Sequence, residues 1–202
     1  MFFLRDIGFM DNPFDYAISE FMMKMHNSLL DKFFETITHL GDNGILFILV
    51  ALVLLFNKQT RKSGIALAIS LILCLIFNNL FIKIVVGRNR PFIDHLEFYD
   101  TVYNLLIPPT SGSFTSGHAC ASFAFATSIM LSYKDKKIYW ISAYVLAFLI
   151  AFSRLYLLVH YFTDVLCGMI LGIGLGFGGF YLFKLLQYIV ALLATSNEQK
   201  SN

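Results

Sequence analysis

Charged residues are scarce in this chain of 202 residues: only 14% are Asp, Glu, Lys or Arg, whereas 57% are hydrophobic. Soluble globular domains carry about 25% charged and about 45–50% apolar residues. The mean hydropathy of +0.69 agrees with this imbalance. The composition argues against a water-soluble domain, and the 22 Phe and 10 Tyr exclude a disordered chain. The sequence predicts a membrane protein.

Cysteine is also rare. The three cysteines, Cys74, Cys120 and Cys167, fall in three different apolar runs. This distribution excludes a disulfide framework or a cysteine metal site and indicates small packing residues.

Long runs without charge divide the sequence into membrane spans. A spanning helix needs roughly 17–25 residues, and shorter runs can borrow polar ends where helices meet a wet site. The five predicted spans are residues 44–56, 63–82, 119–133, 138–153 and 165–183, the last continuing to about residue 194. The expected fold is an all-α polytopic membrane helical bundle of about five transmembrane helices, in a single domain. Its transmembrane core covers residues 43–194, and a tail covers residues 195–202.

The N-terminal segment, residues 1–42, has a different pattern. From Phe14 to Leu40, apolar side chains recur at spacings of three to four, with charged side chains between them. This pattern predicts an amphipathic helix, or two, lying on the membrane rather than crossing it.

The basic residues of the short loops predict an orientation in the cell membrane. Two loops, one between the first and second spans and one between the third and fourth, carry Lys58, Arg61, Lys62, Lys134, Lys136 and Lys137. We expect both loops to be cytoplasmic. The connections at residues 83–117 and 154–164 then share the extracytoplasmic face, with the N-terminus outside and the tail inside.

Ionisable residues collect at three span ends on this outer face, where such groups are functional candidates by default. The first candidate pair is His160 and Asp164, whose spacing of four places both on one face of a helix. The carboxylate would accept the imidazole N–H and leave the other nitrogen free as a nucleophile or base. A purely structural helix pair, or half of a metal site, is the alternative interpretation.

The second candidate is the start of the third span. Ser116 is a good N-cap, and Gly117 lets a ligand approach the backbone closely. Free N–H groups at a helix start bind anions, and His118 would lie beside them. A capped helix with an interfacial histidine is the alternative.

Lys83, Arg90 and Arg154 add cations that suit phosphate oxygens. For Arg88 we favour the role of an interfacial anchor. Three cations, a helix N-terminus and two imidazoles on one face are typical of a phosphoryl-transfer site without metal. The acidic residues Asp94, Glu97 and Asp100 have no ligand-like spacing, so we expect neither a metal nor another cofactor.

These residues form three motifs that resemble those of the type 2 phosphatidic acid phosphatase (PAP2) superfamily, membrane lipid phosphatases related to vanadium haloperoxidases. The family patterns are Lys-x6-Arg-Pro, Pro-Ser-Gly-His and Ser-Arg-x5-His-x3-Asp. The matching segments are residues 83–91, 115–118 and 153–164, and every spacing is kept. One residue departs from the family pattern, Thr115 in place of Pro, and we expect it to alter loop rigidity without loss of chemistry.

The resemblance implies a role for each matching residue. His160 would attack phosphorus and form a phosphohistidine, with Asp164 orienting it. His118 would protonate the leaving oxygen and then activate water, so His160 must be neutral and His118 protonated. The equatorial oxygens would be held by Lys83, Arg90, Arg154, Ser116 and the Gly117 backbone. Positioned cations of this kind stabilise the charge that spreads over those oxygens in the transition state.

The resemblance implies a phosphomonoester or pyrophosphate on a lipid as substrate, such as phosphatidylglycerol phosphate, phosphatidate, diacylglycerol pyrophosphate or undecaprenyl pyrophosphate. The compact single domain resembles bacterial members of the family. The expected partners are the bilayer and this lipid, with no nucleic acid. Two alternatives stay open: a membrane phosphotransferase that passes the phosphoryl group to another acceptor, and a non-catalytic transporter.

The last span contains a stripe of small residues. Gly168, Gly172 and Gly176 recur every four residues, a spacing that allows close helix packing in lipid. We expect this helix to pack against the neighbouring spans that carry the site. A homodimer interface through the same stripe is the second interpretation.

Overall fold

The computed structural model describes residues 12–201, and within that range the chain is helical, with no strand. Residues 1–11 of the predicted N-terminal segment and Asn202 of the predicted tail lie outside the described residues. The helices are α1 (Pro13–Lys24), α2 (Ser28–His39), α3 (Ile45–Phe56), α4 (Arg61–Cys74), α5 (Lys83–Val86), α6 (Pro91–Asp94), α7 (Tyr99–Leu105), α8 (Gly117–Ser132), α9 (Lys137–Tyr156) and α10 (Phe162–Ser201).

Short helical turns complete the path. A π-helix, Leu75–Ile82, continues α4 into α5, so one helical rod runs from Arg61 to Val86. Two 3₁₀ turns precede α3 and α7, at Asp42–Gly44 and Leu96–Phe98. The connection from α5 to α8 therefore contains two short helices, α6 and α7, and ends in a non-helical stretch, residues 106–116.

The all-α membrane bundle is confirmed. In the part of the chain that the structure describes, four helical segments are long and apolar enough to cross a bilayer: Ser28–Phe56, Arg61–Asp94, Lys137–Tyr156 and Phe162–Asn197. The remaining predicted span corresponds to α8, which has 16 residues, 11 of them buried. It is shorter than a typical span because it begins at the polar site and lies inside the bundle, between α4, α9 and α10.

The glycine stripe of α10 packs against α8 and α4, as the sequence predicts. A β-carbon on Gly168 would lie 2.7 Å from the carbonyl oxygen of Ser116, and one on Gly172 would overlap the carbonyl of Cys120. A β-carbon on Gly179 would overlap Ser70 of α4. These contacts occupy the glycine face within one chain, so a homodimer through this stripe is not supported.

From residue 12 onward, the N-terminal segment forms two helices separated by residues 25–27. Each begins at an asparagine cap: Asn12 accepts from Phe14 N–H and Asn27 from Leu30 N–H, both at 3.1 Å. Helix α2 packs on α9 through Phe34, whose ring lies 4.5 Å from that of Tyr156. Both helices thus contact the bundle, and no observation tests whether they lie on the membrane.

The last helix is longer than the sequence suggests. The apolar segment is predicted to end near residue 194, yet α10 continues without a break to Ser201, so the predicted tail starts as helix. No glycine or proline interrupts residues 180–201, which leaves no local reason for the helix to stop.

Candidate active site

The three motifs meet at one end of the bundle around a cavity of about 1420 Å³. Six of the eight predicted site residues line it: Lys83, Arg90, Gly117, His118, Arg154 and His160. The other two, Ser116 and Asp164, are fully buried beside it. The structure therefore brings together every residue that the motifs single out.

His160 does not lie on a helix, contrary to the prediction from its spacing to Asp164. It belongs to the turn between α9 and α10, where Leu158 adopts a positive φ of 55°. The Nδ1 atom lies 3.7 Å from Asp164 Oδ2, too far for a direct hydrogen bond. The pair is thus close, but the contact between them is indirect.

Ser113 bridges the two. Its hydroxyl donates to Asp164 Oδ2 at 2.5 Å, and its oxygen lies 3.4 Å from His160 Nδ1. The same carboxylate oxygen accepts the backbone N–H of Tyr161 at 2.9 Å. This arrangement favours the tautomer with hydrogen on Nδ1, which leaves the lone pair on Nε2. The sequence prediction gave Ser113 no role.

The Nε2 atom of His160 points toward the cationic wall of the cavity, which is formed by Lys83, Arg90 and Arg154. Arg90 Nη1 lies 3.2 Å from it and also donates to the carbonyl oxygen of Val159 at 2.7 Å. Burial, together with the positive charges of Arg90, Arg154 and Lys83, holds the pKa of His160 well below its usual value. The imidazole is therefore neutral at physiological pH, as a nucleophile requires.

Helix α8 begins at the cavity because Ser116 caps it. The Ser116 hydroxyl accepts the Ala119 N–H at 3.4 Å, and Ser116 N–H donates to the carbonyl of Asp164 at 3.0 Å. A β-carbon on Gly117 would lie 3.4 Å from Asn79 Oδ1 and 3.9 Å from Lys83 Nζ. The glycine keeps this helix N-terminus open to an anion.

His118 has a carboxylate partner that the sequence prediction missed. Asp42, in the turn before α3, lies with Oδ1 3.1 Å from His118 Nε2 and Oδ2 2.7 Å from His39 Nδ1. A β-carbon on Gly41 would come within 2.5 Å of His118 Cδ2, so a glycine is required there for the close approach. His118 Nδ1 is thus left to face a ligand.

The other two cations also line the cavity. Arg154, at the end of α9, is 4% exposed and donates to the hydroxyl of Thr38 on α2. Lys83, at the start of α5, is half-buried, with Nζ 3.5 Å from Ser111 Oγ. Like-charged groups so close together repel one another unless an anion lies between them.

Arg88 is not an interfacial anchor, and that interpretation was wrong. Its side chain is fully buried and forms ion pairs with Asp164 at 2.7 Å and Asp15 at 2.8 Å. Its guanidinium also lies over the Tyr161 ring, 4.1 Å from the centroid. The error arose because the partner Asp15 lies 73 residues away in sequence.

Thr115, the departure from the family pattern, is buried and donates its hydroxyl to Asn78 Oδ1 in the π-helix. Proline could not make this hydrogen bond. The expected change in loop rigidity stays a prediction.

Among the described residues, no group of three or more His, Cys, Asp or Glu side chains is placed to hold a metal ion. Asp94 instead accepts from Asn89 at 2.9 Å and Tyr161 at 3.0 Å, and Glu97 accepts from Tyr16 at 3.1 Å.

Together, three cations, an open helix N-terminus and two imidazoles define a class: a polytopic helical membrane protein with a phosphate site built for phosphoryl transfer. Residues 63–188 match the sequence model of the PAP2 superfamily, and the chain belongs to this superfamily.

Curated relatives and a solved structure agree with this family assignment. The chain is 34% identical to the undecaprenyl-diphosphatase BcrC of Bacillus subtilis, over 83% of this chain and 82% of that protein. It is 31% identical to phosphatidylglycerophosphatase B of the same organism, over 81% and 80%. The crystal structure of a transmembrane PAP2-type phosphatidylglycerolphosphate phosphatase from Bacillus subtilis superposes with a TM-score of 0.64, at 28% identity, over 87% and 85%. The chain is a membrane lipid phosphatase, and the transporter alternative is not supported.

Proposed function

We propose that this chain hydrolyses a terminal phosphate, as monoester or pyrophosphate, from a membrane lipid through a phosphohistidine on His160. The observation that carries the proposal is the continuity of the cavity. Its polar end holds the cations and both imidazoles, and its other end is an apolar slot between two membrane helices. A phosphorylated head group and a lipid tail fit these two ends.

The slot lies between one face of α3 and one face of α4. It is lined by Ile48, Leu52 and Leu55 on α3, by Ala68, Leu71 and Ile72 on α4, and by Leu75 at the start of the π-helix. It closes near Gly64, where a β-carbon would lie 2.9 Å from the backbone nitrogen of Leu55. The two helices are thus close at the far end and apart near the site, which leaves room for a chain beside the head group.

The first chemical step is in-line attack of His160 Nε2 on phosphorus. Asp164, through Ser113, keeps the hydrogen on Nδ1 and stabilises the positive charge that develops on the ring. The Lys83, Arg90 and Arg154 cations, with Ser116 and the Gly117 N–H, hold the three equatorial oxygens. The P–O bond to the lipid breaks as the P–N bond forms.

His118 donates a proton to the leaving oxygen in that step. In the second step it takes a proton from water, which attacks phosphorus and releases inorganic phosphate and free His160. Asp42 accepts from His118 Nε2 and so fixes the ring with Nδ1 toward the substrate. Each step balances without a cofactor.

Metal independence belongs to this proposal, because the three cations supply the charge that a metal would otherwise supply. We expect phosphate release to continue in excess EDTA. Inhibition by EDTA that added Mg²⁺ or Zn²⁺ reverses would contradict metal independence.

A panel of lipids tests the substrate class. Purified protein in detergent would receive phosphatidylglycerol phosphate, phosphatidate, diacylglycerol pyrophosphate and undecaprenyl pyrophosphate, with phosphate release measured as kcat/KM. The names of the relatives support the first and the last of these. Phosphorylated acceptor in place of inorganic phosphate would show a phosphotransferase instead.

We also infer that the site lies on the extracytoplasmic face, because the basic loops are at the opposite end of the bundle. A bacterial origin stays a prediction from size. Thiol labelling tests the sidedness in a variant without the three native cysteines. In intact cells a membrane-impermeant maleimide should label the Thr110→Cys variant, whose new thiol is near the site, and not the Lys58→Cys variant. The reverse pattern would place the site in the cytoplasm.

A further inference from the structure

A buried charge network joins the N-terminal helix to the carboxylate behind His160. Arg88 is at its centre: Nη1 donates to Asp164 Oδ1 at 2.7 Å and Nη2 to Asp15 Oδ2 at 2.8 Å. The side chains of Arg88 and Asp15 are 0% and 1% exposed. A planar guanidinium offers donors on separate edges, so one arginine sets the distance between two carboxylates.

Thr163 fixes Asp15 from the other side. Its N–H donates to Asp15 Oδ1 at 2.9 Å, and its hydroxyl donates to Oδ2 at 2.5 Å. The same hydroxyl accepts from Arg88 Nη1 at 2.8 Å. Beside these contacts, the rings of Phe14 and Phe162 meet edge to face at 5.6 Å. Helix α1 therefore docks on the first turn of α10, which carries Asp164.

The network is poorly explained by stability alone. Buried ion pairs cost about as much in desolvation as they return in attraction, so apolar replacements are often neutral. Such a network adds a fixed geometry. Here it holds the carboxylate of Asp164, whose Oδ2 atom contacts Ser113, and Ser113 in turn contacts His160.

We propose that Asp15 and Arg88 are positioning residues that hold Asp164, and through Ser113 the His160 ring, in line with the phosphorus of the substrate. This inference rests on the proposed function. The proposal gives α1 a part in supporting the active site, although none of its described residues lines the cavity. Loss of the Asp15 charge would release one edge of Arg88 and let the Asp164 carboxylate turn. A shift of about 1 Å at a reacting group can cost roughly 100-fold in rate.

Asp15→Asn tests the proposal against a matched control. Glu20→Gln removes the same charge from the same helix, but Glu20 is exposed, and among residues 12–201 its ion pair is with Lys24 alone. We expect Asp15→Asn to lower kcat roughly 10- to 100-fold with KM within about twofold, and Glu20→Gln to match the parent. Gel filtration and the thermal unfolding midpoint in the same detergent confirm that each variant is folded.

A double-mutant cycle separates positioning from general destabilisation. If Asp15 acts through Asp164, Asp15→Asn should cause no further loss of kcat in an Asp164→Asn background. Multiplying losses would overturn the proposal, because they would show that Asp15 acts by another route.

Two outcomes distinguish this inference from the proposed function. A parent chain that releases no phosphate from any lipid phosphate contradicts the proposed function. An active parent with a folded Asp15→Asn variant of equal kcat contradicts only the positioning role. If Asp15→Asn does not fold, Thr163→Val keeps both charges and removes one hydroxyl. It should lower kcat about threefold or more, and a parent-like kcat would overturn the proposal.

Discussion

The two site histidines have different hydrogen-bond partners. His160 has three cations in front of it and a carboxylate behind a serine, whereas His118 contacts the carboxylate of Asp42 directly. A nucleophile must keep a lone pair, and a general acid must keep a proton until the leaving group departs. At the residue scale, these different partners support the different tasks that we propose for the two histidines.

The lowered pKa of His160 leads to a first prediction. A histidine in water titrates near pH 6.5. Because burial and the adjacent cations disfavour the imidazolium, His160 should stay neutral as the pH falls through that value. Imidazole NMR of ¹⁵N-histidine-labelled protein measures this, with the His160 signal assigned by its loss in His160→Gln. A midpoint near 6.5 or above would show that the cationic wall does not act on this ring.

The Asp42–His118 contact gives a second prediction, Asp42→Asn. Without the carboxylate His118 is a poorer acid and base, so phosphate release from a lipid phosphate should slow, roughly 100-fold or more. The leaving group of p-nitrophenyl phosphate needs little protonation, so Asp42→Asn should leave the rate of the first step nearly unchanged with this substrate. Because the second step is still slowed, a burst of nitrophenol should appear.

Asp94→Asn is the control, since Asp94 does not line the cavity. Equal slowing of the burst and of steady turnover by Asp42→Asn would contradict the role of His118 in the second step.

The sequence predicted the residues of the site better than their contacts. The motif spacings identified eight residues, and the structure brings all eight together. The contacts of Asp42, Ser113, Asp15 and Arg88 were missed, because their partners are 76, 51, 148 and 76 residues distant. Hydropathy patterns and local spacing carry no information about such pairs.

Close packing of α8 against α10 places the phosphate-binding helix end beside Asp164. The contact depends on glycines of α10, since the backbone of α8 and its cap lies where a side chain on them would otherwise project. The regular spacing made this predictable from the sequence. The π-helix before Lys83 was not predictable, because its residues are apolar apart from Asn78 and Asn79 and resemble any span.

Gly172→Ala is the third prediction. Its β-carbon would overlap the Cys120 carbonyl, so we expect a loss of about 1–3 kcal/mol in the free energy of unfolding. Gly174→Ala is the matched control, because nothing lies within 4 Å of a β-carbon at that position and alanine favours helix. Unfolding in detergent measures both. Equal stability of the two variants would contradict the tight α8–α10 contact.

Across the whole molecule, scarce charge and its uneven distribution are the main features. Composition alone predicted the membrane bundle, and the basic loops predicted which span ends lie together. The number of spans was less predictable, because α8 is short and buried while α10 continues past its apolar run. Burial inside a bundle and exposure to lipid both select apolar residues, so sequence cannot separate them.

The slot between α3 and α4 gives a fourth prediction, Ala68→Phe. The larger side chain would fill the slot, so kcat/KM should fall roughly tenfold for a long-chain lipid phosphate and stay unchanged for a six-carbon analogue. Val53→Phe on the lipid-facing side of α3, where Val53 is 69% exposed, is the control. An equal loss for both chain lengths would show that the slot does not hold the tail.

The central claim is that this membrane chain removes phosphate from a lipid through His160. The most direct measurement is phosphate release from ³²P-labelled lipid phosphate by purified protein in EDTA, with acid-quenched samples examined for phosphohistidine. We predict turnover and a labelled histidine in the parent, neither in His160→Ala, and both in His95→Gln, whose histidine does not line the cavity. Undiminished phosphate release by folded His160→Ala would contradict the account.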